Sequence, residues 1–205
     1  MTARDVCFWS AESASSLASA LTPPVCAVIE RDLARPDIAP VNGICSSANR
    51  LALQVLSLTA SREPIARIFT KALAQRVDLS ERLEERVAVA LQEAVANALV
   101  HGNLELSWRT ATDDASVDAY YEAMERRLAE QPWSGRFVTV RGQWSRTELT
   151  IVVEDEGTVW LEADNAPDEN VVLPHGRGFI MMRAMSDELT VDRKTHRVTL
   201  GFKRS

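Results

Sequence analysis

The chain of 205 residues is 46% hydrophobic and carries a formal net charge of −6. This length can bury one substantial core, whereas a second domain of full size would be cramped. The chain has no basic block and no apolar run of the ~18 residues that a membrane helix needs, so neither nucleic acid nor membrane is expected as a partner. The first residues lack a signal-peptide pattern, and we expect a soluble cytoplasmic protein.

The N-terminal part, residues 1–46, carries two strand-like runs, Val6–Trp9 and 25–29, around a Ser/Ala-rich helical segment. We predict a small β-α-β appendage of unknown role. Pro and Gly residues mark residues 35–46 as a linker. The main domain is then expected over residues 47–205.

All three cysteines, Cys7, Cys26 and Cys45, lie in this appendage. An odd number of cysteines in a cytosolic chain favours reduced thiols packed in the core. A metal or redox site is the alternative, although the paired Cys-x-x-Cys spacing typical of such sites is absent.

The main domain is predicted to open with a strand over residues 51–59. A helix follows with Ser61 as its cap and Pro64 in its first turn, where the missing N–H costs nothing. Its apolar residues recur with i, i+3, i+4 spacing, so this helix is expected to pack by one face.

The next segment, residues 80–103, is predicted to be one long helix. Asp78 and Glu81 form a possible capping box, and Gly102 can end the helix. At ~100° per residue, six of its residues fall on one apolar arc, which is expected to face the core. These residues are Leu83, Val87, Ala90, Leu91, Ala94 and Ala98.

The flank of this arc carries Glu93 and Asn97 one turn apart, with His101 at the next turn. A carboxylate and a carboxamide at the rim of a core suit a general base beside a Mg²⁺ ligand, under a phosphate chain. Ordinary solvated helix residues are the alternative for all three positions.

The segment 104–133 holds seven acidic and three basic residues and a predicted helix around residues 120–129. We expect a solvated surface element, and a docking role is left open. Four strands are predicted in the rest of the chain. They cover residues 136–145, 148–153, 187–192 and 196–202.

Three motifs in chain order resemble the nucleotide-binding boxes of the GHKL ATPases. The run E-A-V-A-N-A-L-V-H-G-N in the long helix is similar to an N box, and E-D-E-G at residues 154–157 is similar to a G1 box. The run H-G-R-G-F-I-M-M-R at residues 175–183 is similar to the G2 box of the anti-sigma-factor serine/threonine kinases. The resemblance covers roughly residues 50–204. A simple loop-to-helix turn is the alternative for the third motif.

The resemblance implies a Bergerat-type α+β sandwich, with helices on one face of a mixed, mostly antiparallel sheet. It implies ATP and Mg²⁺ as cofactors and phosphoryl transfer to a Ser or Thr of an antagonist protein. Glu93 would be the general base, Asn97 the Mg²⁺ ligand, and Asp155 with Gly157 the adenine site. The other nucleotide contacts implied are His101, Gly176, Arg177, Gly178 and Thr199.

Two departures keep alternatives open. Val159 replaces the second Gly of a usual G1 box, which favours a module that binds nucleotide or a sigma factor without transferring phosphate. No His lies on a phosphoacceptor hairpin, so a sensor histidine kinase is disfavoured. The acidic stretch that follows, residues 158–174, is predicted to be a lid that orders with ligand. The partner and the oligomeric state, a homodimer being one option, are not named by the sequence.

Overall fold

The structure is a computed structural model that describes residues 6–31, 49–106, 114–158 and 177–204. Within these ranges the strands are β1 (Val6–Trp9), β2 (Ala27–Glu30), β3 (Arg50–Leu56), β4 (Phe137–Trp144), β5 (Glu148–Asp155), β6 (Glu188–Asp192) and β7 (Arg197–Lys203). They form one seven-stranded sheet in the order β1-β2-β3-β4-β5-β7-β6. The first three strands pair in parallel, and the other pairs are antiparallel.

The helices are α1 (Leu17–Ala20), α2 (Ser57–Arg62), α3 (Ile65–Ala74), α4 (Glu81–Asn97), α5 (Asp114–Ala129) and α6 (Arg177–Met185). A π-helical turn, Ala98–Asn103, continues α4, and a short 3₁₀ turn, Trp133–Gly135, precedes β4. The helices and the mixed sheet share one hydrophobic core, so the predicted α+β sandwich is confirmed. Every helix in the described ranges is too short or too polar to span a bilayer.

The core lies between α4 and the centre of the sheet. All six residues of the predicted apolar arc of α4 are buried, from Leu83 to Ala98. On β5 and β7 alternate residues are buried, with Ile151 opposite Leu200 and Val153 opposite Val198. Because side chains alternate along a strand, this pattern fixes which face of β5 and β7 meets the helices.

The N-terminal appendage forms the predicted β-α-β unit and extends the sheet, since β2 pairs in parallel with β3. Cys7 is a free thiol, but Cys26 is disulfide-bonded and its partner lies outside the described residues. The expectation of three reduced thiols was therefore wrong, because the tertiary fold sets which cysteines meet. The domain boundary near residue 46 also lies outside these residues and stays a prediction.

Several predicted boundaries were wrong by a few residues. The strand predicted over 51–59 ends at Leu56, and α2 begins directly at Ser57. The cap of α3 is Pro64 rather than Ser61, and the cap of α4 is Ser80, whose hydroxyl accepts from the Leu83 N–H. Pro64 makes no side-chain cap hydrogen bond, whereas at α4 the Ser80 hydroxyl takes the role predicted for Asp78, and only the fold selects between such neighbours.

The helix of the acidic segment is less solvated than expected. One face of α5 packs against the core through half-buried residues at helical spacing. They are Tyr120, Ala123, Met124 and Leu128. The prediction of a solvated element rested on the net charge of the segment. Apolar residues along one face of a helix do not alter this charge, so the buried face of α5 was not predicted.

Candidate functional site

The end of α4 changes from α-helical to π-helical geometry after Asn97. A π-helical turn holds one more residue per hydrogen-bonded ring, so it rotates the side chains that follow relative to the helix before it. As a result Gly102 and Asn103 face the end of β5, while Glu93 and Asn97 face α6. The site therefore has two halves joined by one helix.

The first half is formed by Glu93, Asn97 and the first turn of α6. A methyl group placed on Gly178 would lie 3.0 Å from Glu93 Oε2 and 3.4 Å from Asn97 Nδ2. A larger residue at this position would require the Glu93 carboxylate to shift by a few tenths of an ångström. Because a helix N-terminus presents free N–H groups and a positive dipole end, these two polar side chains lie beside a natural anion site.

The position of α6 is fixed by contacts at its other end. Met182 is fully buried, and Arg86 of α4 donates from Nε to the carbonyl of Met185 at 2.9 Å. Arg86 also pairs with Asp187 at 3.0 Å. The N-terminus of α6 is thus held above Glu93 and Asn97 by the packing of two helices.

The Asn97 side chain fits a bound group. Its Nδ2 atom is buried and has no hydrogen-bond partner among the described residues. A buried polar atom without a partner is uncommon and calls for an explanation, and the amide can present either oxygen or nitrogen to a ligand. The described residues contain no cluster of three His, Cys, Asp or Glu side chains, so a metal here would take Asn97 together with phosphate and water oxygens, as Mg²⁺ commonly does.

The second half surrounds Asp155, the last residue of β5. Its carboxylate lies directly over Gly102, where an added methyl would be 2.3 Å from Asp155 Cγ. Asp155 Oδ1 accepts from the Gly157 N–H at 2.9 Å and contacts His196 Nδ1 at 3.1 Å. Burial raises the pKa of the Asp155 carboxyl, while the Gly157 N–H, His196 and Arg136 oppose that rise.

A buried hydrogen-bond network fixes the end of the helix beside β5. Asn103 is fully buried, donates from Nδ2 to Ser57 Oγ at 3.1 Å, and accepts at Oδ1 from the Glu156 N–H at 2.8 Å. Arg136 donates to the Asn103 carbonyl at 2.5 Å and pairs with Glu105 at 2.9 Å. This network ties the end of the helix to the residues that follow β5.

Glu105 lies at a positive φ of 52° and anchors Thr158, the residue after Gly157. It accepts from the Thr158 N–H at 3.2 Å and from its hydroxyl at 2.6 Å. Burial alone would raise the pKa of Glu105, but hydrogen bonds from Thr158, Trp133 and Arg136 outweigh it and lower the pKa to about 2. The chain leaving the site is therefore attached to an ionised carboxylate at neutral pH.

The structure brings together most of the predicted site residues, but not all of them. Glu93, Asn97 and Gly178 meet in one half, and Asp155 and Gly157 in the other. Arg177 is the first residue of α6, whereas Gly176, Val159 and residues 159–174 of the predicted lid lie outside the described residues.

One predicted nucleotide contact is placed elsewhere, and a second makes a contact within the chain. Thr199 pairs with Val152 and Thr190, between the buried Val198 and Leu200, so it lies on the sheet face opposite α4. His101 directs Nδ1 to the Leu106 carbonyl at 2.7 Å and so holds the loop after the π-helical turn. Side chains alternate between the two faces of a strand, but the sequence does not show which set faces the helices. The position of Thr199 was therefore fixed only by the pairing register of β7.

Sequence reasoning missed part of the site. The omitted residues are Gly102, Asn103, Glu105, Arg136 and His196. For Gly102 and Asn103 a signal existed, because both belong to the H-G-N run at the end of the predicted N-box helix. No local sequence pattern indicated Arg136 or His196, because their partners, Asn103 and Asp155, are distant in sequence.

A family model described as the histidine kinase-like ATPase domain matches residues 56–202, which is more than half of the chain. The chain belongs to this family. A comparison with curated proteins gives no match. The matched region of this histidine kinase-like ATPase domain contains both halves of the site, and ATP is its implied cofactor. Both β1 and β2 lie before the matched region.

Proposed function

We propose that this histidine kinase-like ATPase domain is a regulatory protein kinase of the anti-sigma-factor type, which transfers phosphate from Mg²⁺-ATP to a Ser or Thr hydroxyl of a partner protein. The observation that carries the proposal is the pairing of Glu93 and Asn97 directly below the N-terminus of α6. This arrangement supports the proposal because phosphoryl transfer to a hydroxyl needs a base, a ligand for the metal and an anion site close together.

Glu93 is the group that would accept the hydroxyl proton. It is half-buried at the rim of the core, and the glycine at position 178 leaves room above its carboxylate. A carboxylate in contact with an incoming hydroxyl makes the oxygen a better nucleophile as its proton leaves. The neighbouring helix N-terminus stabilises negative charge on transferred phosphate oxygens.

Asn97 and the N-terminus of α6 would hold the phosphate chain. The Asn97 amide would bind Mg²⁺ through its oxygen, and Gly176, Arg177 and Gly178 would surround the phosphates with backbone N–H groups. Bound Mg²⁺ would neutralise charge on the phosphate oxygens. At the other half of the site, Asp155 and Gly157 would bind adenine.

A protein substrate is supported by the outer surface of α6. Three consecutive apolar side chains, Phe179, Ile180 and Met181, are 39%, 51% and 38% exposed next to the phosphate-binding turn. Apolar side chains grouped in this way are typical of protein contact surfaces. Their place beside the site would let a bound protein present a hydroxyl to Glu93.

The proposal is tested by Glu93→Gln, which keeps the shape of the side chain but removes the base. ATP binding measured by calorimetry should persist, while transfer of labelled phosphate to proteins of the native cytoplasm should fall by about 10² to 10⁴. Glu85→Gln is the matched control, since Glu85 lies exposed on the same helix and should leave both measurements unchanged. Transfer by Glu93→Gln at the wild-type rate would mean that another group is the base.

A second function is favoured by Val159, which replaces a glycine of the usual G1 motif. In that case the domain binds nucleotide and a partner, such as a sigma factor, without transferring phosphate. The same experiment separates the two functions. A wild-type protein that binds ATP and its partner but leaves the partner unlabelled is a nucleotide-gated binding module.

A further inference from the structure

The hydrogen bonds to the Asp155 carboxylate all meet at one of its two oxygens. Oδ1 lies 2.9 Å from the Gly157 nitrogen and 3.1 Å from His196 Nδ1. Because a carboxylate oxygen offers about two lone-pair sites, these two partners occupy Oδ1 fully. No donor from the described residues reaches Oδ2, which leaves that oxygen as the acceptor available to a ligand.

The backbone fixes His196 in this position. It ends the turn between β6 and β7 with a positive φ of 51°, and its carbonyl accepts from the Asp155 N–H at 3.3 Å. The side chains of His196 and Asp155 are only 18% and 4% exposed. The contact is therefore held by both the main chain and the side chain, away from bulk water.

We propose that His196 is a positioning residue for adenine recognition. By donating from Nδ1 to Oδ1, it fixes the carboxylate so that Oδ2 accepts from the amino group of the base. This inference rests on the proposed ATP site. A base with a carbonyl at that position would place an acceptor against Oδ2, so the same arrangement selects adenine over guanine.

The variants His196→Asn and His196→Gly test whether the hydrogen bond donated to Asp155 Oδ1 is the cause. Both residues tolerate the left-handed backbone at this position. The Asn amide nitrogen can stand close to the position of imidazole Nδ1, whereas Gly offers no donor. The readout is the affinity for ATP divided by the affinity for purine riboside triphosphate, which lacks the amino group, measured by calorimetry.

Wild type should bind ATP at least about tenfold more tightly than the analogue, because a hydrogen bond to a charged acceptor is lost. His196→Asn should keep this ratio, and His196→Gly should reduce it toward one. A merely structural role would weaken both nucleotides together and leave the ratio unchanged. His196→Ala, which keeps a Cβ but has no donor, carries the same expectation as Gly if glycine loosens the turn.

The outcomes separate this inference from the proposed function. A wild-type protein that binds neither nucleotide, or binds both equally, would overturn the adenine site and the role of His196 together. A wild-type protein that prefers ATP, with an unchanged preference in His196→Gly and His196→Ala, would overturn the role of His196 alone. A ratio reduced equally in Asn and Gly would also overturn it, because the donor would then not be the cause.

Discussion

Substitution of Gly102 by Ala tests whether the Asp155 carboxylate forms part of a nucleotide site. Gly102 lies in the π-helical turn, where the backbone accepts alanine, but the added methyl would be 2.3 Å from Asp155 Cγ and 2.5 Å from each oxygen. Carbon atoms in contact are normally about 3.5–4.0 Å apart. The carboxylate must therefore move by more than about an ångström.

This movement breaks contacts whose strength can be estimated. The two contacts at Oδ1, 2.9 Å and 3.1 Å long, would exceed hydrogen-bonding distance. Hydrogen bonds to a charged group contribute about 1.5–3 kcal/mol each, whereas Gly to Ala within a helix gains roughly 0.5–1 kcal/mol. The net effect is a loss of about 2 kcal/mol or more, or a fall in Tm of about 4–8 °C for a chain of this size.

The assay combines thermal unfolding without ligand and calorimetric titration with ATP. Gly102→Ala should lower both Tm and ATP affinity, the latter by at least about tenfold because Oδ2 is displaced. Gly201→Ala is the matched control, since its methyl would lie 3.1 Å from the Glu188 Cβ on a different strand. It should leave ATP affinity unchanged. Wild-type affinity in Gly102→Ala would refute the position assigned to adenine.

Two further predictions concern the metal and the pH dependence. Asn97→Ala removes an oxygen ligand, so Mg²⁺-dependent ATP binding and phosphate transfer should fail together. Titrations of ATP with and without Mg²⁺ measure the binding, and full binding with Mg²⁺ would exclude Asn97 as the ligand. The pKa of Glu105 is lowered from 4.5 to about 2, so its contribution to stability is complete above pH 4.5 and is lost as the pH falls toward 2. Denaturant unfolding of Glu105→Gln should show a weaker loss of stability over that range, and an unchanged pH profile would mean that Glu105 does not stabilise the fold.

The sequence by itself determined the central helix and most residues of the candidate nucleotide site. The apolar arc of α4 was predicted from helical periodicity alone. Glu93 and Asn97 share one face because they are one turn apart, and the helix repeat places that face on the flank of the arc. These features depend only on residues a few positions apart in the chain, which the helical repeat brings to the same face. The strand ending in Asp155 was likewise visible as an apolar run followed by an acidic motif.

Only the tertiary structure decided how distant residues meet. The contact of His196 with Asp155 joins residues 41 positions apart, and Arg136 reaches the Asn103 carbonyl across 33 positions. Thr199 was predicted at the site but lies on the other face of the sheet, because strand register, set by pairing with β5 and β6, decides the face. The disulfide at Cys26 likewise depends on which residues the tertiary fold brings together. Local pattern places a residue on an element, whereas long-range packing of helices and pairing of strands decide what that residue touches.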